Sequence, residues 1–197
     1  AKQNPEAYKP DVAMTLNNLG TLLKTTNKLK QAQDYYEEAL VIRQDLAKQN
    51  PEAYKPDVAM TLNNLGTLLK TTNKLKQAQD YYEEALVIRQ DLAKQNPEAY
   101  KPDVAMTLNN LVILYLELKK KGDAEKAYQG AHDIYQKLAG RHPGAYEIDY
   151  AGILVMGFFL LGKPKEDLEE AKAILGNYPE HPKAQNFLSF IEQFAKR

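Results

Sequence analysis

Few side chains in this 197-residue sequence have the spacing of catalytic or metal-binding groups. The histidines, His132, His142 and His181, lack a ligand-type partner at i+3 or i+4, the spacing that brings two metal ligands to one face of a helix. Acidic pairs such as Glu37-Glu38 are adjacent, so their carboxylates point in different directions on a helix. The sequence contains no glycine-rich phosphate loop and no nucleophile motif. We therefore predict that the protein is not an enzyme and needs no metal or cofactor.

A second set of side chains is suited to binding a polypeptide. Because a helical residue advances by about 100° per step, Met14, Asn17, Thr21 and Lys24 share one face of a predicted helix. The same positions recur as Met60, Asn63, Thr67 and Lys70, and then as Met106, Asn109, Ile113 and Leu116. This predicted stripe is polar at first and becomes apolar towards the C-terminal end.

The asparagines of this stripe suggest a mode of binding. An amide both donates and accepts, so Asn17, Asn63 and Asn109 could pair with the backbone of an extended peptide. Helices packed about 10 Å apart would space them by three extended residues of about 3.3 Å each. The alternative is that the amides are solvated or bond across repeats. For the neighbouring set we favour that alternative, because buried amides are usually satisfied within the protein. That set is Asn18, Asn64 and Asn110.

The stripe recurs because the chain is internally repeated. Residues 1–46 recur unchanged as residues 47–92, and a third copy begins at Ala93 and departs after Leu111. Such identity at exposed positions, where substitutions usually cost little, indicates recent duplication or engineering, and both remain open. Each copy carries an apolar helical stripe at i, i+4, i+7 and i+11. In the first copy these residues are Val12, Leu16, Leu19 and Leu23.

Each repeat is predicted to form two helices. Pro10 suits the first turn of the first helix, where a proline loses no hydrogen bond. Residues 25–27 break the pattern before a longer second helix with two seams, one of which runs from Leu29 to Arg43. Residues 50–56 hold two prolines and are predicted to form the turn between repeats. This places three tyrosines in loops, where they would connect consecutive repeats: Tyr8, Tyr54 and Tyr100.

The C-terminal part of the chain departs from the repeat and contains all five phenylalanines. Residues 162–164 predict a turn, residues 167–177 a short helix, and residues 178–182 a loop. Phe187, Ile191 and Phe194 then fall at i, i+4 and i+7, which predicts an amphipathic closing helix. Its charged residues are expected to face water: Lys183, Glu192, Lys196 and Arg197.

These residues carry a family resemblance. The pattern Leu16-x2-Leu19-Gly20-x2-Leu23, followed by Ala32-x3-Tyr36-x2-Ala39, resembles the tetratricopeptide repeat. The stretch from Pro10 to Leu19 is similar to the kinesin-light-chain subgroup and its bacterial relatives, and the resemblance covers about residues 1–139. Two features depart from the family. Leu16 replaces the usual tryptophan, and the period of 46 residues exceeds the roughly 34 of the common motif.

The resemblance implies an all-α, right-handed superhelical solenoid of about four αα-hairpins with a C-terminal capping helix. It implies one domain, with repeats at residues 1–46, 47–92 and 93–138, a degenerate repeat at residues 139–178, and the closing helix at residues 180–197. In the resembled family the first helices line a concave groove, which would therefore be lined by the stripe described above. We expect an adaptor module that binds a protein or an extended peptide.

Composition narrows the choice of partners. Lys and Arg together number 26, as do Asp and Glu, and the signs alternate along the chain, so we expect neither nucleic acid nor a membrane as a partner. The absence of cysteine excludes disulfides and thiolate metal sites. No apolar run approaches the roughly 20 residues that cross a bilayer, so we expect a soluble, cytoplasmic protein.

A self-associating scaffold without a dedicated peptide ligand is the alternative function. The first repeat has the same sequence as the interior second repeat, so it has not been adapted to face water. Tyr8, Val12 and Leu16 would normally be covered by a preceding hairpin. The alternative therefore predicts a homo-oligomer formed end to end through the first hairpin, or an engineered repeat array.

Overall fold

The computed structural model describes residues 5–194, with side chains from Ala7 onwards. These residues form α-helices without any β-strand. The helices are α1 (Pro5–Thr25), α2 (Leu29–Gln49), α3 (Pro51–Thr71), α4 (Leu75–Gln95), α5 (Pro97–Glu117), α6 (Lys121–Arg141), α7 (Pro143–Leu161), α8 (Lys165–Gly176) and α9 (Pro182–Phe194). The prediction of an all-α fold is confirmed.

The chain divides into two compact units, Ala1–Lys119 and Lys120–Arg197. We call them the first and the second unit. The boundary falls between α5 and α6, within the third sequence repeat. The division into repeats within a single domain stays a prediction.

Helices begin earlier than predicted, at a proline that follows a capping residue. In the second repeat, Asn50 caps α3 by accepting a hydrogen bond from the backbone N–H of Ala53 at 3.2 Å. Pro51 takes the first helical position, where it loses no bond. Pro56 lies inside α3, where it cannot donate the backbone hydrogen bond to the carbonyl of Glu52. The predicted turn over residues 50–56 was therefore wrong.

Two further predictions are wrong because the first helix of each repeat begins earlier than predicted. Both helices of a hairpin have 21 residues, so the second is not longer than the first. The tyrosines expected in loops lie in the first helices instead, and two of them, Tyr54 and Tyr100, are half-buried.

The turn inside each hairpin forms where predicted. α1 ends at Thr25, and Asn27 adopts a left-handed conformation with φ 59°, which asparagine tolerates better than most residues. The N–H groups of Asn27 and Lys28 donate to the carbonyls of Lys24 and Leu23, at 3.1 and 2.8 Å. This is the Schellman pattern, which satisfies the last carbonyls of the helix.

A glycine–tyrosine contact holds the two helices together in each of the first two hairpins. A Cβ atom on Gly20 would lie 2.7 Å from Cδ1 of Tyr36, and the Gly66–Tyr82 pair repeats the same distance. Both tyrosines are fully buried. The glycine therefore marks a close approach between the two helices, and the tyrosine ring occupies the space beside it.

Successive hairpins in the first unit stack through apolar side chains, with α2 packed on α3 and α4 on α5. One such cluster joins the second helix of one hairpin to both helices of the next. Its buried members are Ala32, Tyr36, Leu40, Val58, Leu62, Leu65, Leu68 and Ala85. Side-by-side stacking of copied hairpins is therefore present in the first unit.

In the second unit, α6 packs on α7, α7 on α8, and α9 on both α7 and α8. Gly162 ends α7 with φ 67°, as the predicted turn requires. The ring of Phe187 lies against Gly152, and Ile191 is buried, so the apolar face of α9 covers the helices beneath it. Lys183 and Glu192 are exposed as predicted, whereas Lys196 and Arg197 lie outside the described residues.

The sequence was expected to contain no segment that could cross a membrane, and α7 departs from that expectation. In the described part of the chain, α7 alone is long and apolar enough to cross a bilayer by length and composition. The expectation overlooked this segment because Glu147 and Asp149 interrupt its apolar residues. In the structure, α7 buries Ile153, Leu154 and Val155, and it contacts α6, α8 and α9.

Candidate protein-binding surface

The first helices of the hairpins form one layer of the first unit. α1 lies against α3, and α3 lies against α5. In the described residues no comparable packing joins α2 to α4. The first helices of neighbouring hairpins therefore contact one another directly in the first unit.

Three methionines form an exposed row on this layer. Met14 is 51% exposed, Met60 37% and Met106 39%, although most other apolar residues of α3 and α5 are buried. They occupy the same position in successive repeats, 46 residues apart. A methionine side chain is flexible and polarisable, so it can adapt to differently shaped ligands. We call these residues the methionine row.

The asparagines that were predicted to bind a peptide backbone are already hydrogen-bonded across repeats. Asn17 is 4% exposed, and its Oδ1 accepts from Nδ2 of Asn64 at 3.2 Å and from the Thr61 hydroxyl at 3.5 Å. Asn63 is 7% exposed, and its Oδ1 accepts from Nδ2 of Asn110 at 3.1 Å. The structure contradicts the prediction that these oxygens are open to a peptide, because a buried carbonyl takes a partner within the protein. For Asn64 and Asn110, bonding across repeats is confirmed.

The hydrogen bonds between asparagine side chains of successive repeats end at the third repeat. Oδ1 of Asn109 is buried and has no hydrogen-bond partner in residues 5–194. In the two preceding repeats the donor is the asparagine 47 residues further along the chain. The sequence does not continue this pattern, because the residue 47 positions after Asn109 is Met156 rather than an asparagine.

The threonines of the stripe hold the buried tyrosines. The Thr67 hydroxyl donates to the carbonyl of Asn63 at 3.0 Å and accepts from the Tyr82 hydroxyl at 2.9 Å. Thr21 and Tyr36 make the same pair at 3.0 Å. Burial raises the pKa of Tyr82, the bond to Thr67 lowers it, and the negative charge of Glu117 raises it. The pKa of Tyr82 is raised overall, so its phenol stays neutral and can donate a hydrogen bond to the Thr67 hydroxyl.

The other members of the stripe differ between repeats. Nζ of Lys70 lies 3.7 Å from Oε1 of Glu117, which stands where the first two repeats have Thr25 and Thr71. Lys24 is half-buried. Ile113 and Leu116 are also half-buried and extend the apolar surface into α5.

A buried arginine at the contact between two repeats was not predicted from the sequence. Arg43 is almost fully buried, and its Nη1 donates to the carbonyl of Asp57 at 3.1 Å and to the Thr61 hydroxyl at 2.6 Å. Burial lowers the pKa of Arg43, and the charge of Asp57 opposes that effect. Arg89 makes the same bonds to the next repeat. The available signal was a charged residue at the end of an otherwise apolar seam.

The structure brings no candidate catalytic groups together in its described part. No three histidine or acidic side chains there are close enough to hold a metal ion. His132 packs between the rings of Tyr128 and Tyr150, and Nδ1 of His181 accepts a hydrogen bond from the backbone N–H of Lys183. These histidines have structural roles.

Solved structures share this fold. BtubC (BKLC) from P. vanneervenii matches 98% of this chain and 68% of its own, with 23% identity and a TM-score of 0.62. A putative kinesin light chain from Podosopora anserina, with nearly identical TPR-like repeats, matches 97% of this chain and 88% of its own, with 16% identity and a TM-score of 0.60. A variant of that protein scores 0.61. No curated protein matches the sequence.

The sequence itself matches a family model. The tetratricopeptide repeat model matches residues 12–51, 58–97 and 104–144, which together make up more than half of the chain. The three matches follow the period seen in the sequence, and the structural relatives are similar to kinesin light chains, so the predicted resemblance is confirmed. The chain belongs to the tetratricopeptide repeat family.

Proposed function

We propose that this protein is an adaptor that binds an extended peptide segment of another protein along the first-helix layer. Tetratricopeptide repeats generally mediate protein–protein interaction, and the family is typically non-enzymatic. The methionine row is the observation that carries the proposal. It is an apolar surface that repeats regularly and is left open on a layer whose polar side chains are mostly bonded within the protein.

Recognition in this proposal depends on ligand side chains. The side-chain oxygens of Asn17 and Asn63 already accept hydrogen bonds within the protein. The main contacts of the peptide are therefore made by its apolar side chains, which pack against the methionine row. Ile113 and Leu116 extend that contact at one end, and Lys24 adds a positive charge at the other. The proposed groove lining therefore leaves out Asn17 and Asn63, which are buried. Thr21, Thr67, Lys70 and Asn109 contribute mainly by shape.

Selection from a random-peptide display library on the immobilised protein would supply a ligand. Its affinity is then measured for the parent chain, for Met60→Gln and for Val87→Thr. Both changes make an exposed apolar side chain polar with little change of shape, and Val87 lies on α4, away from the row. Burying a whole methionine side chain contributes about 1.5–3 kcal/mol. Because Met60 is only 37% exposed, Met60→Gln should weaken binding by about twofold to sixfold. Equal weakening by Val87→Thr, or none by Met60→Gln, would contradict the proposal.

A second candidate function is end-to-end association of copies of the chain into a scaffold. One comparison favours it. Val12 is 45% exposed, whereas Val58, the same residue in the second repeat, is 4% exposed. Sedimentation velocity at increasing concentration tests this candidate. A rising mean mass that Val12→Lys abolishes is expected, and a constant monomer mass would exclude self-association.

A further inference from the structure

The sulfur atoms of this chain are concentrated on the methionine row. The sequence contains no cysteine and four methionines, of which three form the row. The row residues Met14, Met60 and Met106 are exposed, whereas Met156 is half-buried on α7. An oxidant in solution therefore meets three open thioethers and no thiol.

The three thioethers have matched surroundings along the chain. Each row methionine lies in the same stretch of ten residues, which occurs unchanged at residues 10–19, 56–65 and 102–111. Oxidation of methionine gives methionine sulfoxide, a polar side chain that methionine sulfoxide reductases convert back to methionine. Thiolates, which also react with oxidants, are absent from this chain and cannot compete. The same modification is thus open to the row in three successive repeats.

We propose that the methionine row is a reversible oxidation site at which a peroxide switches off peptide binding. This inference rests on the proposed function, because it concerns the surface to which the peptide is assigned. A sulfur lone pair of Met14, Met60 or Met106 attacks one peroxide oxygen, so an S–O bond forms as the O–O bond breaks. The sulfur loses two electrons, and hydrogen peroxide leaves as one molecule of water after proton transfer.

The sulfoxide opposes binding because of its polarity. Its oxygen accepts hydrogen bonds from water, and an apolar peptide side chain packed against it would remove that water without replacing the bonds. Loss of the apolar contact alone weakens binding by about twofold to sixfold at each site, as for Met60→Gln. The three sites lie on different helices, so these factors multiply, and full oxidation of the row should weaken binding by about tenfold or more.

The fold does not depend on the oxidised atoms. On α3, the residues Val58, Ala59 and Leu62 are buried in the core, whereas the Met60 side chain is exposed on the opposite face. Changes at exposed positions usually have little effect on stability. Oxidation of the row should therefore alter the binding surface and leave the urea midpoint of unfolding unchanged, which separates a switch from oxidative damage to the core.

The test compares the affinity of each chain for a library-selected peptide before and after treatment with hydrogen peroxide. The peptide is chosen without methionine or cysteine, and catalase removes the peroxide before it is added. The chains are the parent, a triple variant with Met14→Leu, Met60→Leu and Met106→Leu, and the matched control Met156→Leu. Leucine is apolar and similar in volume to methionine, and it has no sulfur to oxidise. The methyl signals of 13C-labelled methionine report which sites have reacted, which peptide mapping cannot do for the identical repeats.

Peroxide should weaken binding by about tenfold or more in the parent and in Met156→Leu, and it should leave the affinity of the triple variant at its untreated value. Methionine sulfoxide reductases with a dithiol, which is oxidised to a disulfide as the sulfoxide oxygen leaves as water, should restore the parent. The inference is overturned if the parent keeps its affinity with all three row signals converted, or if the triple variant loses as much as the parent. If Met60→Gln weakens binding and oxidation does not, this inference alone fails. If neither weakens binding, the proposed function fails with it.

Discussion

Replacing Gly66 by alanine tests the contact that joins the two helices of the second hairpin. The added Cβ would lie 2.7 Å from Cδ1 and 2.8 Å from Cε1 of Tyr82, both well inside normal contact. The ring has no room to withdraw, because Tyr82 is fully buried and its hydroxyl is bonded to Thr67 at 2.9 Å. Either the helix or the ring must therefore shift.

Two opposing effects set the size of the change. Overpacking a close contact costs about 1–3 kcal/mol, while glycine to alanine inside a helix gains about 1 kcal/mol. The single change Gly66→Ala should therefore cost about 0–2 kcal/mol of unfolding free energy. In a chain that also carries Tyr82→Ala, the overlap is absent and only the helix gain of about 1 kcal/mol remains. The same substitution should thus stabilise one background and not the other.

Urea unfolding followed by circular dichroism on the parent, both single variants and the double variant measures this coupling. We expect a coupling free energy of about 1–3 kcal/mol between positions 66 and 82. Gly140→Ala is the control, because a Cβ there meets nothing within 4 Å. It should stabilise the chain by up to about 1 kcal/mol. A coupling below about 0.5 kcal/mol would show that the ring does not require the glycine.

Three further predictions concern polar contacts. Arg43→Ala should cost about 2–4 kcal/mol of unfolding free energy, since it removes two hydrogen bonds from a buried charged donor, and urea unfolding measures this loss. Asn17→Ala and Asn64→Ala should be non-additive by about 0.5–1.5 kcal/mol in a double-mutant cycle, because each removes the same bond. Burial, assisted by the charge of Asp167 and by Tyr150, raises the pKa of Tyr128 to about 12 from 10.0. Its contribution to stability is therefore complete below pH 10 and is lost between about pH 10 and 12, so alkaline unfolding should be shallower in Tyr128→Phe.

The sequence predicted the helical repeats because their signals are local. The apolar stripe that includes Leu16 and Leu19, the close approach at Gly20 and the turn at residues 25–27 each depend on residues within one hairpin. The helix boundaries were predicted less well. Pro56 was placed in the turn between repeats, yet α3 begins five residues earlier at Pro51 and continues through Pro56.

The site was predicted less completely because its chemistry lies between repeats. Nothing within one repeat shows that the oxygen of Asn17 points towards Asn64, which is 47 residues away. The hydrogen bonds of Arg43 could not be predicted for the same reason, because their acceptors are in the next hairpin. The exposed methionine positions were predictable, because helical phase alone separates Met60 from the buried face that includes Leu62.

The four methionines allow a direct measurement of the proposed binding surface. With 13C-labelled methionine methyl groups, each of Met14, Met60, Met106 and Met156 gives its own NMR signal. Met156 lies in α7 of the second unit and serves as the internal control. On addition of a library-selected peptide, we expect the signals of Met14, Met60 and Met106 to shift while that of Met156 stays in place. Saturable binding that leaves those three signals unmoved, or that moves Met156 alone, would contradict it.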